Sequence, residues 1–260
     1  MFVQFDSTFD GLLSAAAWCL RNRMNPVALL SEFDQQPLLD SITIPCEPNV
    51  RRLFRRHLAQ TIGIPAGEEV LDICFRAFLS ETEDIASSIY RYLALALETR
   101  SDPSGRLCDP PVSAVTGAAK RASAQSHMHL GLLRFKAVSQ DWTVADFSPD
   151  CHVLPLIMPH FCDRLPDQNF AIRDLRRNLA AVHLADGRTS LHVLAESNPL
   201  EPNASIGPVL PAADTGEDGF PAMWQLYLQR LSIPERRNPA LQMGNMPKKY
   251  WKYMTEFQKN

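Results

Sequence analysis

The sequence predicts an α+β fold: a helical N-terminal half packed on an antiparallel sheet, with a basic and aromatic helical module at the C-terminus. Three observations lead there. Ala/Leu-rich amphipathic runs dominate residues 1–126, short apolar stretches of strand length dominate 127–197, and five prolines in 198–221 precede an ending in which cations and rings crowd together in 222–260. At 260 residues, 45% hydrophobic and 21% charged, the chain can bury a sizeable core, and the four regions read as one compact unit.

The elements follow in order. "FVQF" reads as a short strand, and "STFDGLLSAAAWCLRNR" as a helix with capping residues ahead of an apolar run. After the proline-broken stretch that ends in "IPCEPN", "VRRLFRRHLAQTIG" is an amphipathic helix stopped at Gly63. Residues 65–98 hold two more helices, and "VSAVTGAAKRASAQSH" another. The pattern then changes. "HMHLGLLRFKAV", "WTVADF", "NFAIRD", "LAAVHLA" and "TSLHVLA" have strand-like length, and Asp186-Gly187 signals a hairpin turn. "HVLPLIMPHFCDRL" is a helix across that sheet, with Pro155 tolerated near its start and Pro159 distorting it. Residues 198–221 form a linker. "AMWQLYLQRLSI" is a helix with Trp224, Tyr227, Leu228 and Leu231 on one side, and Pro247 opens a last helix, "KKYWKYMTEFQ".

Composition excludes several classes. No run reaches the roughly 18 apolar residues of a membrane span, and "MFVQFDSTFDG" lacks the layout of a signal peptide, so a soluble, cytoplasmic protein is expected. Six scattered cysteines without a CxxC suggest reduced core thiols. GxGxxG, P-loop, GxSxG and Cx3Cx2C patterns are absent, and no cofactor is expected.

Charge is distributed unevenly. The net charge is −3, yet residues from Arg230 onward carry +5, leaving the remainder at −8. In "RRNPALQMGNMPKKYWK" the phosphate-contact candidates are Arg236, Arg237, Asn238, Lys248, Lys249 and Lys252, with Tyr250 or Trp251 as a stacking face. The bland reading buries Tyr250 and Trp251 against the sheet and leaves the lysines solvated. On a helix Lys248 and Lys252 are neighbours at i,i+4. Arg51, Arg52, Arg55 and Arg56 make a second cationic helix face. Arg173 and Arg177 make a third set, in which Asp174 competes as a structural partner. Weaker constellations are Cys151, His152, His160 and Cys162 as zinc ligands, His127 and His129 on one side of a strand, and Asp146, Asp150 and Asp174 as an acidic metal site.

The segments "FDSTFDGLLSA", "LLRFKAV", "FSPDCHVLPLIMPHFCDRLPDQNFAIRDLRR" and "LYLQRLSIPERRNPALQMGNMPKKYWKYMTE" together resemble a bacterial domain-of-unknown-function family assigned to DNA repair or DNA metabolism. The most specific match is Met246 to Lys252, preceded by Arg236 or Arg237, Asn238 and Pro239. A second block comprises Pro149, Asp150, Val153, Pro155, Phe161, Arg164, Pro166, Ile172, Asp174 and Arg177. The chain departs where the family has an acidic residue ahead of "RF" and a tryptophan at Phe170. The resemblance implies DNA as a ligand and a neighbouring radical-SAM DNA repair protein as partner, and in other members the domain precedes a uracil-DNA glycosylase-like domain. An accessory protein without its own catalysis is therefore expected. The alternatives are a metal-dependent or glycosylase-like DNA-processing enzyme, or a purely protein-interaction subunit.

Overall fold

The computed structural model describes residues 1–32, 40–194 and 238–257, together with Met223, Leu226, Tyr227 and Arg230, which are helical. Residues 1–124 and 125–260 form two compact units. Trp224, Leu228 and Leu231, assigned from sequence to a helix face, lie outside the described residues, as does the linker 198–221.

In the first unit, strand β1 (Phe2–Phe5) leads through a capped turn into helix α1 (Phe9–Arg21). The Thr8 hydroxyl accepts from Gly11 N at 2.9 Å and donates to Asp6 Oδ1 at 2.7 Å. That satisfies one of the orphan amides of the first turn. Gly11 is required there because a Cβ would overlap the Asp6 carboxylate. The apolar spacing of α1 buries Leu12, Leu13, Ala15, Ala16 and Cys19. Strands β2 (Leu29–Ser31) and β3 (Ser41–Thr43) flank β1, and both pair with it in parallel. Thus the N-terminal half is not helical alone: α1 returns the chain to the same end of β1, which makes parallel pairing with β2 possible.

Helices α2 (Val50–Ile62), α3 (Ile64–Phe78) and α4 (Ile85–Thr99) complete this unit. Gly63, at φ 90°, sits between α2 and α3, in the left-handed region that favours glycine. Helix α4 is tied to the sheet edge where Ser87 Oγ accepts from Leu29 N at 3.0 Å. Tyr90 donates to Met24 O at 2.7 Å.

Helix α5 spans Pro110–Leu132. It overturns the reading of "HMHLGLL" as strand, since helix continues through His127 and His129 to Leu132. From Ala118 to Phe135 the chain has no β-branched residue, so nothing opposes helix, and the apolar run alone was ambiguous. The strand starts only at β4 (Phe135–Ser139), which is followed by β5 (Trp142–Phe147), α6 (Leu154–Arg164), β6 (Asn169–Asp174), β7 (Leu179–His183) and β8 (Thr189–Val193).

The five strands lie in chain order. They do not form the wholly antiparallel sheet expected: β5 and β6 are parallel, because α6 carries the chain back between them, whereas the other neighbours are hairpin-linked and antiparallel. Asp186-Gly187 makes the β7–β8 turn as expected, with Gly187 at φ 86°. Phe161 of α6 reaches the sheet through Phe135, which in turn packs on Phe170, at 5.3 and 5.6 Å between ring centroids. Phe170, Ala171 and Ile172 are consecutively buried, so both faces of β6 are covered.

Gly11→Ala is expected to destabilise the protein by about 1 kcal/mol or more, the worth of a helix cap. Gly117→Ala, in α5 with nothing within 4 Å of the added methyl, is expected to stabilise it by up to about 1 kcal/mol. Denaturant midpoints of the two variants check this, and equal signs would contradict it.

Candidate nucleic-acid interface

The chain ends in helix α7 (Pro239–Asn245) and two 3₁₀ turns, Lys248–Tyr253 and Thr255–Phe257. A single α-helix was expected from Pro247 onward. Instead Met254 is extended at φ −104°, ψ 122° and breaks the run, which delivers both Tyr250 and Met254 to one apolar cluster with Leu132. The tighter winding also corrects the lysine geometry: residues at i and i+3 eclipse, so Lys249 rather than Lys248 shares a row with Lys252.

Each described candidate side chain in this ending has a definite place. Asn238 caps α7, its Oδ1 accepting from Leu241 N at 3.0 Å. Trp251 donates its indole N–H to Met246 O at 2.7 Å and stacks on Phe257, with ring centroids 4.2 Å apart and planes within 7°. Tyr250 is buried at 2% exposure. Lys248, Lys249 and Lys252 are exposed, and their ammonium groups lie over the rings of Trp251, Tyr250 and Tyr253 at 6.0, 4.9 and 4.8 Å. Arg236 and Arg237 lie outside the described residues.

Lys249 is also ion-paired to Asp150 in the loop after β5. Gln125 Nε2 donates to the same carboxylate at 3.0 Å, and Arg176 approaches it at 3.5 Å. The Lys249 hydrogen bond holds the Asp150 carboxyl below its ordinary value, against the opposing effect of burial. Beneath this pair lies His129, at 1% exposure, set edge-on to Tyr250 at 4.8 Å and to Phe147 at 5.2 Å. Burial lowers the His129 imidazole from 6.5 to about 4, Lys249 adds to the shift, and Asp150 opposes it. The Tyr250 phenol is raised, mainly by burial. Lys249 is close enough to influence that titration, yet no hydrogen bond of proper geometry reaches the hydroxyl.

The arginine sets divide differently. Arg51 pairs with Asp10 at 2.9 Å and lies over Phe9 and Phe75, and Arg55 pairs with Glu68 at 3.0 Å. Both line a groove of about 400 Å³ whose other wall carries Glu69 and Asp72, so its cations are already matched. Arg52 and Arg56 are exposed and make no ion pair among the described residues. Arg173 binds Asp146 through two hydrogen bonds of 2.6 and 2.8 Å. Arg177 binds the fully buried Asp174 at 2.8 Å and the carbonyls of Pro149 and Asp150 at 3.2 and 2.9 Å. These last two arginines hold the sheet rim together.

The weaker constellations come apart. Asp146, Asp150 and Asp174 each face a different cation. Among the described residues no three His, Cys, Asp or Glu side chains gather as a metal site. His127 and His129, expected on one side of a strand, are exposed and buried respectively because the segment is helical. Sequence reasoning thus missed the contact of His129 with Tyr250. The signal available was a histidine one turn before the end of an apolar helix. Among the described residues no helix is long and apolar enough to cross a membrane.

The family described as DUF4130, a domain of unknown function, matches residues 83–256, more than half of the chain. No curated protein and no solved structure matches it.

Because His129 is buried neutral, the unfolded chain binds its proton more tightly, and this contribution to stability is complete above pH 6.5 and lost as pH falls toward about 4. Asp150, lowered from 3.8, acts in the same direction but below that window, its contribution being complete above pH 3.8. Unfolding free energy is expected to drop by about 3 kcal/mol from the histidine across that window. His129→Leu is expected to flatten the pH dependence between 6.5 and 4 in denaturant titrations, and an unchanged slope would refute the assignment.

Proposed function

The chain belongs to the DUF4130 family, and from that premise we propose that it is a nucleic-acid-binding accessory protein of DNA repair or DNA metabolism, acting beside a radical-SAM enzyme. One observation carries the reading. The 248–253 turn buries Tyr250 and keeps three lysines outward, each over an aromatic ring. A surface of this kind gives phosphates their cations and offers rings near the strand. The resemblance in the ending and in the "RF" segment supports the repair context and the partner. Asn238, Arg173 and Arg177 hold local structure, so among the described residues the phosphate contacts fall to Lys248, Lys249 and Lys252, with Arg52 and Arg56 as a separate set.

Association with a protein partner is supported by α7, on which Leu241 is 61% and Met243 38% exposed. No cofactor is assigned to the chain, and base removal or radical chemistry belongs to partners in this reading.

Lys248→Ala with Lys252→Ala is expected to lower the salt slope of duplex DNA binding by roughly one unit per lysine, with the unfolding midpoint unchanged. Salt titrations by fluorescence anisotropy measure this. Identical slopes and affinities for the double variant and the parent would remove the turn from the interface.

A further inference from the structure

Among the polar atoms of the second unit buried without a hydrogen bond are Nε2 of His129 and the hydroxyl of Tyr250. They come from α5 and from the terminal turn, and their rings meet perpendicularly at 4.8 Å. Polar groups shut away from water without partners disfavour the state that hides them. Phe147 closes the other side of the imidazole, which leaves the terminal turn as the element able to uncover it. At its rim that turn is held by Lys249 on Asp150, side chains 50% and 47% exposed, so competing ions reach the pair. Gln125 and Arg176 remain on Asp150 when Lys249 leaves.

We propose that the terminal turn is a lid over a hydrogen-bonding site formed by His129 and Tyr250, and that a single-stranded nucleic acid opens it by drawing Lys249 off Asp150. The proposal rests on the reading of the turn as a phosphate contact. Phosphate oxygens replace the Asp150 carboxylate as the partner of Lys249, while Lys248 and Lys252 add contacts that a monovalent ion does not make. The opened cleft then presents Nε2 of a neutral imidazole, a donor or an acceptor according to tautomer, and a phenol hydroxyl, which can be both. Paired donors and acceptors of this kind suit the edge of an unstacked base. The ligand class is therefore a single strand that supplies both a phosphate for the rim and a base edge for the interior.

The test is carbethoxylation of the full chain by diethylpyrocarbonate at pH 7, read by mass spectrometry. The exposed His127, on the same helix, serves as internal control. The probe is a single-stranded thymidine oligonucleotide of about ten residues, within the range of common single-strand sites. Asp150→Asn, which removes the rim pair, is expected to raise His129 reactivity by about threefold or more without the probe, and the bound oligonucleotide, whose base covers the imidazole, to take that gain away. His127 is expected to stay constant throughout, and Tyr250→Phe to raise the melting temperature by removing an unbonded hydroxyl. Anisotropy on the same samples separates the failures. An Asp150→Asn variant whose His129 stays unreactive, or stays equally reactive with the oligonucleotide bound, overturns the lid alone, whereas absence of binding overturns the phosphate reading and the lid together. A lower melting temperature for Tyr250→Phe also overturns the site, because it shows the hydroxyl bonded in the closed form.

Discussion

The ending of this chain depends on one contact, the burial of Tyr250 and Met254 against Leu132. Each large apolar side chain taken out of water contributes about 1.5–3 kcal/mol, while the unbonded Tyr250 hydroxyl costs about 1–3 kcal/mol. The half-exposed ion pair of Lys249 and Asp150 adds about 0–1 kcal/mol. Apolar burial therefore contributes most to anchoring the turn, and the ion pair is the smaller part of the hold that ions in solution reach. The closed turn is held by a modest margin, of the size that several phosphate contacts together can meet.

Charge matching separates the basic residues by role. Arg173 and Arg177 lie against Asp146 and Asp174, and Arg51 and Arg55 against Asp10 and Glu68, so these four stabilise local structure. The lysines of the turn differ in kind. Lys248 and Lys252 have ring faces as neighbours, and Lys249 shares Asp150 with Gln125 and Arg176. A ring face lowers the cost of holding the Lys248 ammonium in place without neutralising it, which leaves that charge available to a polyanion.

Much of the architecture was legible in the sequence because local signals agreed with it. The Thr8 cap, the Gly63 helix boundary and the Asp186-Gly187 hairpin each need particular residues at particular dihedral angles, and all three are where those residues stand. What failed were the decisions that tertiary context makes. The stretch before Phe135 has the apolar length of a strand but extends α5, and this error hid His129. The parallel pairing of β5 and β6 follows from the path of α6, which no strand pattern reveals. In the ending, Trp251 and Tyr250 proved to be anchors, yet the 3₁₀ winding depends on where Met254 must go, so the lysine rows could not be read from helical spacing.

Hydrogen exchange reads the anchored turn itself, because the Tyr250 and Met254 amides donate within it, to Pro247 O at 3.0 Å and Trp251 O at 3.1 Å. These amides are expected to be protected in the free protein, and a single-stranded oligonucleotide is expected to speed exchange in residues 247–257 while β6 is unaffected. Free-chain exchange rates at Tyr250 and Met254 in the absence of nucleic acid would contradict the anchored turn, and with it the surface on which the functional reading stands.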